Sequence, residues 1–208
     1  MIPVRDFRQH LGSRRMASAW LFAAALAVAL LPRPSAAAMF ITIAPVGNDV
    51  VASTLGGTLN TSGLSFSGNE PASGPTLWPV FAEIVLGAPA GFDRYVAITG
   101  PSSWGPPTSP SNAASSLGPL VGVSSGQFLV VPTGYVSGAP LGPASATFAN
   151  ATIASLELTP GAYVYSWGSG GNADSLTVTI VPEPATGALL TLGVVVLAAR
   201  RRTQLGNA

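Results

Sequence analysis

The chain has 208 residues, with 24 Gly, 19 Pro, no Cys, one His and a formal net charge of +1. All nine cationic residues are arginines and the single histidine is His10. Residues 39–181 therefore hold no His, Cys or Lys, which excludes from that stretch disulfides, Ser-His-Asp and Cys-His triads, Schiff-base lysines and conventional zinc sites.

Residues 1–38 read as a secretory signal peptide. Arg5, Arg8, Arg14 and Arg15 form a positive leading region, and Ala17–Leu31 is a 15-residue apolar stretch of signal-peptide length. Pro32 and Pro34 end any helix, because proline lacks the backbone donor. Ala36 and Ala38 then supply the small-residue pair that signal peptidase cleaves after.

Residues 39–181 are long enough for one core. Their only cation is Arg94, against Asp49, Glu70, Glu83, Asp93, Glu157 and Asp174, for a net charge of −5. That balance argues against nucleic acid as a partner, since phosphates need a basic surface. Short apolar runs at Phe40–Ile43 and Val50–Leu55, separated by Gly47-Asn48, read as strands. So do Thr58–Phe66, Phe81–Leu86, Tyr95–Thr99, Ala144–Phe148 and Thr152–Leu158. Phe128–Val131 is continuously apolar, as expected of a strand buried on both faces. Thr99–Pro119, with five Pro, three Gly and six Ser, reads as a long exposed loop or a soft boundary. Pro160-Gly161 suits a type II turn. Tyr163, Tyr165 and Trp167, then Gly168–Asp174, then Leu176, Val178 and Ile180, describe a hairpin. The expected fold class is all-β: an antiparallel β-sandwich-like ectodomain, flanked by an N-terminal signal helix and a C-terminal transmembrane helix.

Candidate chemistry within 39–181 is sparse. Paired carboxylates suffice for glycoside hydrolysis, but the six acids are scattered. Gly170–Asp174 offers oxygen ligands for calcium and equally the residues of a turn. Trp78, Trp104 and Trp167 are candidates for sugar stacking if displayed, and for core packing otherwise. Asn150-Ala151-Thr152 matches a glycosylation acceptor pattern, read here as accidental. No catalytic residue, cofactor or metal ligand is assigned, and the domain is expected not to be an enzyme.

Pro182-Glu183-Pro184 leads into a second apolar stretch, Ala185–Ala199, closed by Arg200, Arg201 and Arg202. As a helix this stretch spans about 24 Å, slightly short of a hydrocarbon core of about 30 Å, and arginine stems can snorkel across part of the difference. The three arginines favour the cytoplasmic side and act as a stop-transfer signal, which puts residues 39–181 on the far side of the membrane. Residues 182–208 resemble the PEP-CTERM sorting signal of Gram-negative bacteria in the order and spacing of Pro-Glu-Pro, apolar run and arginine cluster. The stretches FLVVPTGYVSG and TFANATIASLELTPGAYVYSWGSGGNADSLTV also resemble an uncharacterised group of secreted PEP-CTERM proteins, which implies no activity. The resemblance implies processing by an exosortase, a membrane cysteine transpeptidase, in bacteria that make exopolysaccharide. The expected product is a noncatalytic cell-surface or extracellular-matrix protein, held transiently in the inner membrane. The alternative is a carbohydrate-binding module that attaches to the cell's own exopolysaccharide.

Overall fold

A computed structural model describes residues 38–184. The rest of the predicted signal peptide, Ala36 included, lies outside the described residues, as do the predicted helix over 185–199, Arg200, Arg201 and Arg202. Among the described residues no helix is long and apolar enough to cross a membrane.

Fifteen strands follow one another: β1 (Ala38–Val46), β2 (Asp49–Thr54), β3 (Gly57–Thr58), β4 (Ser65–Ser73), β5 (Thr76–Trp78), β6 (Glu83–Leu86), β7 (Ala90–Val96), β8 (Ser111–Asn112), β9 (Ser115–Leu117), β10 (Val121–Ser124), β11 (Phe128–Pro132), β12 (Pro140–Leu141), β13 (Ala144–Phe148), β14 (Gly161–Trp167) and β15 (Asp174–Ile180). A six-stranded sheet has the order β14-β15-β1-β2-β13-β9, and a seven-stranded sheet the order β4-β7-β11-β10-β6-β5-β8. The short strands β12 and β3 pair separately. Alternation gives each large sheet one apolar face. Ile41, Val50, Ala52 and Val178 from the first sheet join Ile84, Val123, Leu129 and Val131 from the second in one buried cluster. The all-β, sandwich-like expectation holds.

One pairing departs from the antiparallel expectation. β1 lies parallel to β15, in register from Ala38↔Ser175 to Ile43↔Ile180. A parallel pair needs a long crossover, and here the whole intervening domain serves as one. On its other side β1 turns into β2 through Gly47-Asn48, where Gly47 has φ +64. Positive φ at the first residue of a two-residue loop suits the twist of a hairpin.

Several predicted elements change character. Thr58–Phe66 is not one strand: a 3-10 turn at Thr61–Gly63 interrupts it, with the Asn60 side chain accepting from the Ser62 N–H. A Cβ on Gly63 would sit 2.6 Å from Gly168 Cα, so the break presses this turn against the last hairpin loop. Thr152–Leu158 forms no strand either. Thr152 and Ser155 cap each other reciprocally, the Ser155 N–H on Thr152 Oγ1 at 2.9 Å and the Thr152 N–H on Ser155 Oγ at 2.8 Å. One helical turn follows and ends with Leu158 N–H on Ile153 O, Glu157 N–H on Ala154 O and Glu157 at φ +55, a Schellman closure. Gly161 lacks the positive φ of a type II turn and opens β14 instead, opposite Ile180. The strand predicted at Tyr95–Thr99 lies earlier, as β7.

Thr99–Pro119 is no simple exposed loop. It holds Trp104 in the core at 1% exposure and contributes β8 and β9 to the two sheets. Phe128–Val131 does form a strand, with Leu129, Val130 and Val131 fully buried. The predicted hairpin forms as β14 and β15, with Tyr165 opposite Leu176 and Tyr163 opposite Val178. Leu176, Val178 and Ile180 all face the core.

Candidate functional site

The Pro-Glu-Pro motif starts where the last strand stops. The Val181 N–H donates to Ile43 O at 2.9 Å, extending the parallel ladder by one bond. Pro182 has no N–H to continue it, so pairing ends there. Pro182, Glu183 and Pro184 are all exposed.

Two turns flank the motif. Glu183 and Pro184 share a groove of about 520 Å³ with Pro45, Gly47 and Asn48 of the β1–β2 turn and with Asn150, Ala151 and Thr152. The Asn150 N–H donates to Asp49 Oδ1 at 2.9 Å, tying the second turn to the first strand pair. Asn150 itself has φ +51, a conformation that asparagine tolerates better than most residues. The motif thus sits at one end of the sandwich, beside polar turns. These flanking residues carry no sequence signal for the role, because only β1–β15 pairing brings residues 45–48 and 183–184 together.

The remaining sequence candidates are drawn into structure. Asp93 accepts from Asn69 Nδ2 at 2.9 Å and from the Gly134 N–H at 2.9 Å. Asp174, only 3% exposed, accepts the N–H of Asn60 on Oδ2 and that of Ser175 on Oδ1, each at 2.6 Å. Burial pushes its carboxyl above the ordinary range, against those two hydrogen bonds. Its oxygens therefore hold the backbone, not an open ligand position on the Gly170–Asp174 loop. Glu83 accepts from Ser124 Oγ at 2.7 Å, and Glu70 pairs with Arg94 at 3.3 Å. Among the described residues no three His, Cys, Asp or Glu side chains gather as metal ligands.

Aromatic residues follow the same pattern. Trp167 is buried and donates Nε1–H to Asn60 O at 2.7 Å. Tyr165 is fully buried, donates to Pro101 O at 3.2 Å, and burial pushes its phenol up. Trp104 packs among Tyr163 and Tyr165, with ring centroids at 5.8 and 6.4 Å. Trp78 is half-buried, bonds Thr108 O and meets Phe81 edge-on at 4.6 Å. Neither Trp104 nor Trp167 is displayed for sugar stacking. Two residues that sequence reasoning passed over, Tyr135 and Ser137, bind the same turn as Asp174: Tyr135 Oη accepts the Leu59 N–H and Ser137 Oγ the Thr61 N–H, each at 2.9 Å.

Of the predicted cleavage pair, only Ala38 lies among the described residues. Ala38 is the exposed first residue of β1, opposite Ser175, and Met39 after it is fully buried. No curated protein and no solved structure matches the chain. Residues 181–202 match the PEP-CTERM protein-sorting motif. The chain thus carries, directly behind its last core strand, the motif that marks a surface or secreted protein for exosortase-dependent sorting.

Proposed function

We propose that the sandwich is a noncatalytic cargo domain, delivered to the cell surface or extracellular matrix through its PEP-CTERM motif. The observation that carries this reading is the exposed Pro182-Glu183-Pro184 immediately after the hydrogen-bonded end of the sheet. Two prolines hold the motif extended, a form that a protease cleft binds. The engagement of Asp93, Asp174, Glu70 and Glu83 within the domain supports a noncatalytic role. In this reading signal peptidase cleaves after Ala38, Ala185–Ala199 anchors the chain transiently in the inner membrane, and Arg200, Arg201 and Arg202 stay cytoplasmic. Met39 supports cleavage no later than this point, because its side chain belongs to the core. N-terminal sequencing of the exported form should begin at or just before Met39; a start beyond it would refute the assignment.

The decisive experiment is Glu183→Ala, read by membrane fractionation and intact mass. Glu183 lies outside the apolar stretch, so the change leaves hydrophobic anchoring intact. A sorting signal predicts that the variant accumulates unprocessed in the inner membrane. A plain tail anchor predicts the same mass and location as wild type, and that result would sink the proposal.

A further inference from the structure

The six-stranded sheet has a second face, directed away from the core. One hydroxyl row crosses four neighbouring strands: Thr179 on β15, Thr42 on β1, Ser53 on β2 and Ser145 on β13, each opposite the next. Thr177 and Thr147 extend the array into the adjoining rows. All six are partly or fully exposed, and among the described residues none of their hydroxyls has a hydrogen-bond partner. Sheet geometry spaces such groups about 4.8 Å apart across strands and roughly 6.7 Å along them. The charged side chain at this face, Asp49, lies at its rim and is engaged by the Asn150 N–H.

An apolar element completes the surface. Phe40, 59% exposed, lies beside Thr177 in the register and lines a shallow cavity of about 190 Å³ with Thr42, Ser53 and Leu55. Leu55 itself is 94% exposed. The face thus combines a displayed aromatic ring, a small depression, exposed Val164 and Leu117 on its edge strands and a regular field of uncommitted donors and acceptors, with the charge of Asp49 at the rim.

That combination selects a ligand class. Anionic polymers and lipid headgroups need cations, and Arg94, the cation among the described residues, is ion-paired on the other sheet. Protein interfaces are depleted in serine, whereas Ser53 and Ser145 occupy the central row of this face. A neutral sugar polymer has the complementary chemistry: ring faces that stack on Phe40 and many hydroxyls that exchange hydrogen bonds with serine and threonine. Each contact is weak, but a repeating ligand engages a repeating array many times at once. We propose that this face binds a neutral polysaccharide, with Phe40 as the stacking ring and Thr42, Ser53, Ser145, Thr177 and Thr179 as its hydrogen-bonding field. The proposal deepens the surface-protein reading and rests on it only for where the ligand is met.

Co-sedimentation of the detergent-solubilised full-length chain with microcrystalline cellulose and with insoluble β-1,3-glucan tests the proposal. Wild type should sediment with at least one of these neutral glycans. Phe40→Ala and Thr177→Asp should each weaken binding by about tenfold, the loss expected of one removed stacking or hydrogen-bonding contact. Phe40→Tyr should retain it, as should Glu70→Gln on the opposite sheet, and melting curves establish that each variant is folded. No sedimentation of wild type with either glycan, or undiminished binding by folded Phe40→Ala and Thr177→Asp, would overturn the proposal. A wild-type dimer that Thr177→Asp dissociates, without glycan binding, would assign the face to a second copy and overturn it equally. Sorting is read separately by Glu183→Ala, so either claim can fail alone.

Discussion

The outward faces of the two large sheets are built on the same alternation and carry opposite chemistry. On the seven-stranded sheet, charged side chains are engaged: Arg94 pairs through Nη2 with Glu70 and lies 4.5 Å from the Phe128 ring centroid, while Glu83 takes the Ser124 hydroxyl. A small cluster of Val85, Leu120 and Val130, with Phe92 against it, lies on that side too. On the six-stranded sheet the outward positions include Thr42, Ser53, Ser145, Thr147, Thr177 and Thr179, whose hydroxyls are left uncommitted, beside exposed Phe40, Val164 and Leu117. The inner faces do not differ in this way, since both are apolar and share one core. Stability therefore resides between the sheets, whereas the surface chemistry available to a partner differs from one side of the molecule to the other.

The sharpest test of this division sets neighbouring residues of β15 against each other. Val178 is fully buried and Thr177 faces outward. Val178→Asp should cost about 3–5 kcal/mol, through lost burial and an unpaired buried charge. Thr177→Asp should cost about 1 kcal/mol or less in urea titration. Similar losses from both would show that the two faces are not distinct.

A smaller effect is expected at Asp174, where the core meets the turn at Asn60. Asp174→Asn replaces one acceptor oxygen by a donor facing a backbone N–H, at a cost of about 1–3 kcal/mol. Because burial raises the carboxyl's folded-state pKa, the folded chain binds the proton more readily than the unfolded chain. The stabilisation from this group is then present below the ordinary carboxylate range and falls as pH rises toward the raised native value. The stability difference between wild type and Asp174→Asn should accordingly shrink as pH rises through that acidic window. A difference independent of pH would contradict the raised value.

Least should follow from Glu70→Gln on the charged face. The Glu70 and Arg94 side chains are about one-third exposed (35% and 33%), so solvent screens the pair and its loss should cost at most about 1 kcal/mol. A larger loss would mean that the charged face, too, holds the fold together.

What could be read from the chain depended on how near interacting residues lie in sequence. The last hairpin was legible because Tyr163, Tyr165, Leu176 and Val178 alternate on two adjacent segments and the loop between them is short. Thr152–Leu158 misled because Ile153, Leu156 and Leu158 are buried in a capped turn, and the cap is closed by Ser155 where Glu or Gln is the usual signal. Its αL position is occupied by Glu157 in place of the glycine that marks most helix ends. Trp104 was hidden among prolines and serines whose composition describes a loop but cannot say what the loop covers.

Strand-forming tendency, the lack of nitrogen and sulfur ligands in residues 39–181 and the sorting motif at 181–202 were determined by the sequence alone, since each depends on residue type and local spacing. The parallel closure of β15 on β1, the groove beside Glu183 and the assembly of one hydroxyl row from four strands were decided only by the tertiary structure. Local spacing sets which residues share the face of one strand; which strands stand side by side is set by burial of a common core, to which residues more than a hundred positions apart contribute together.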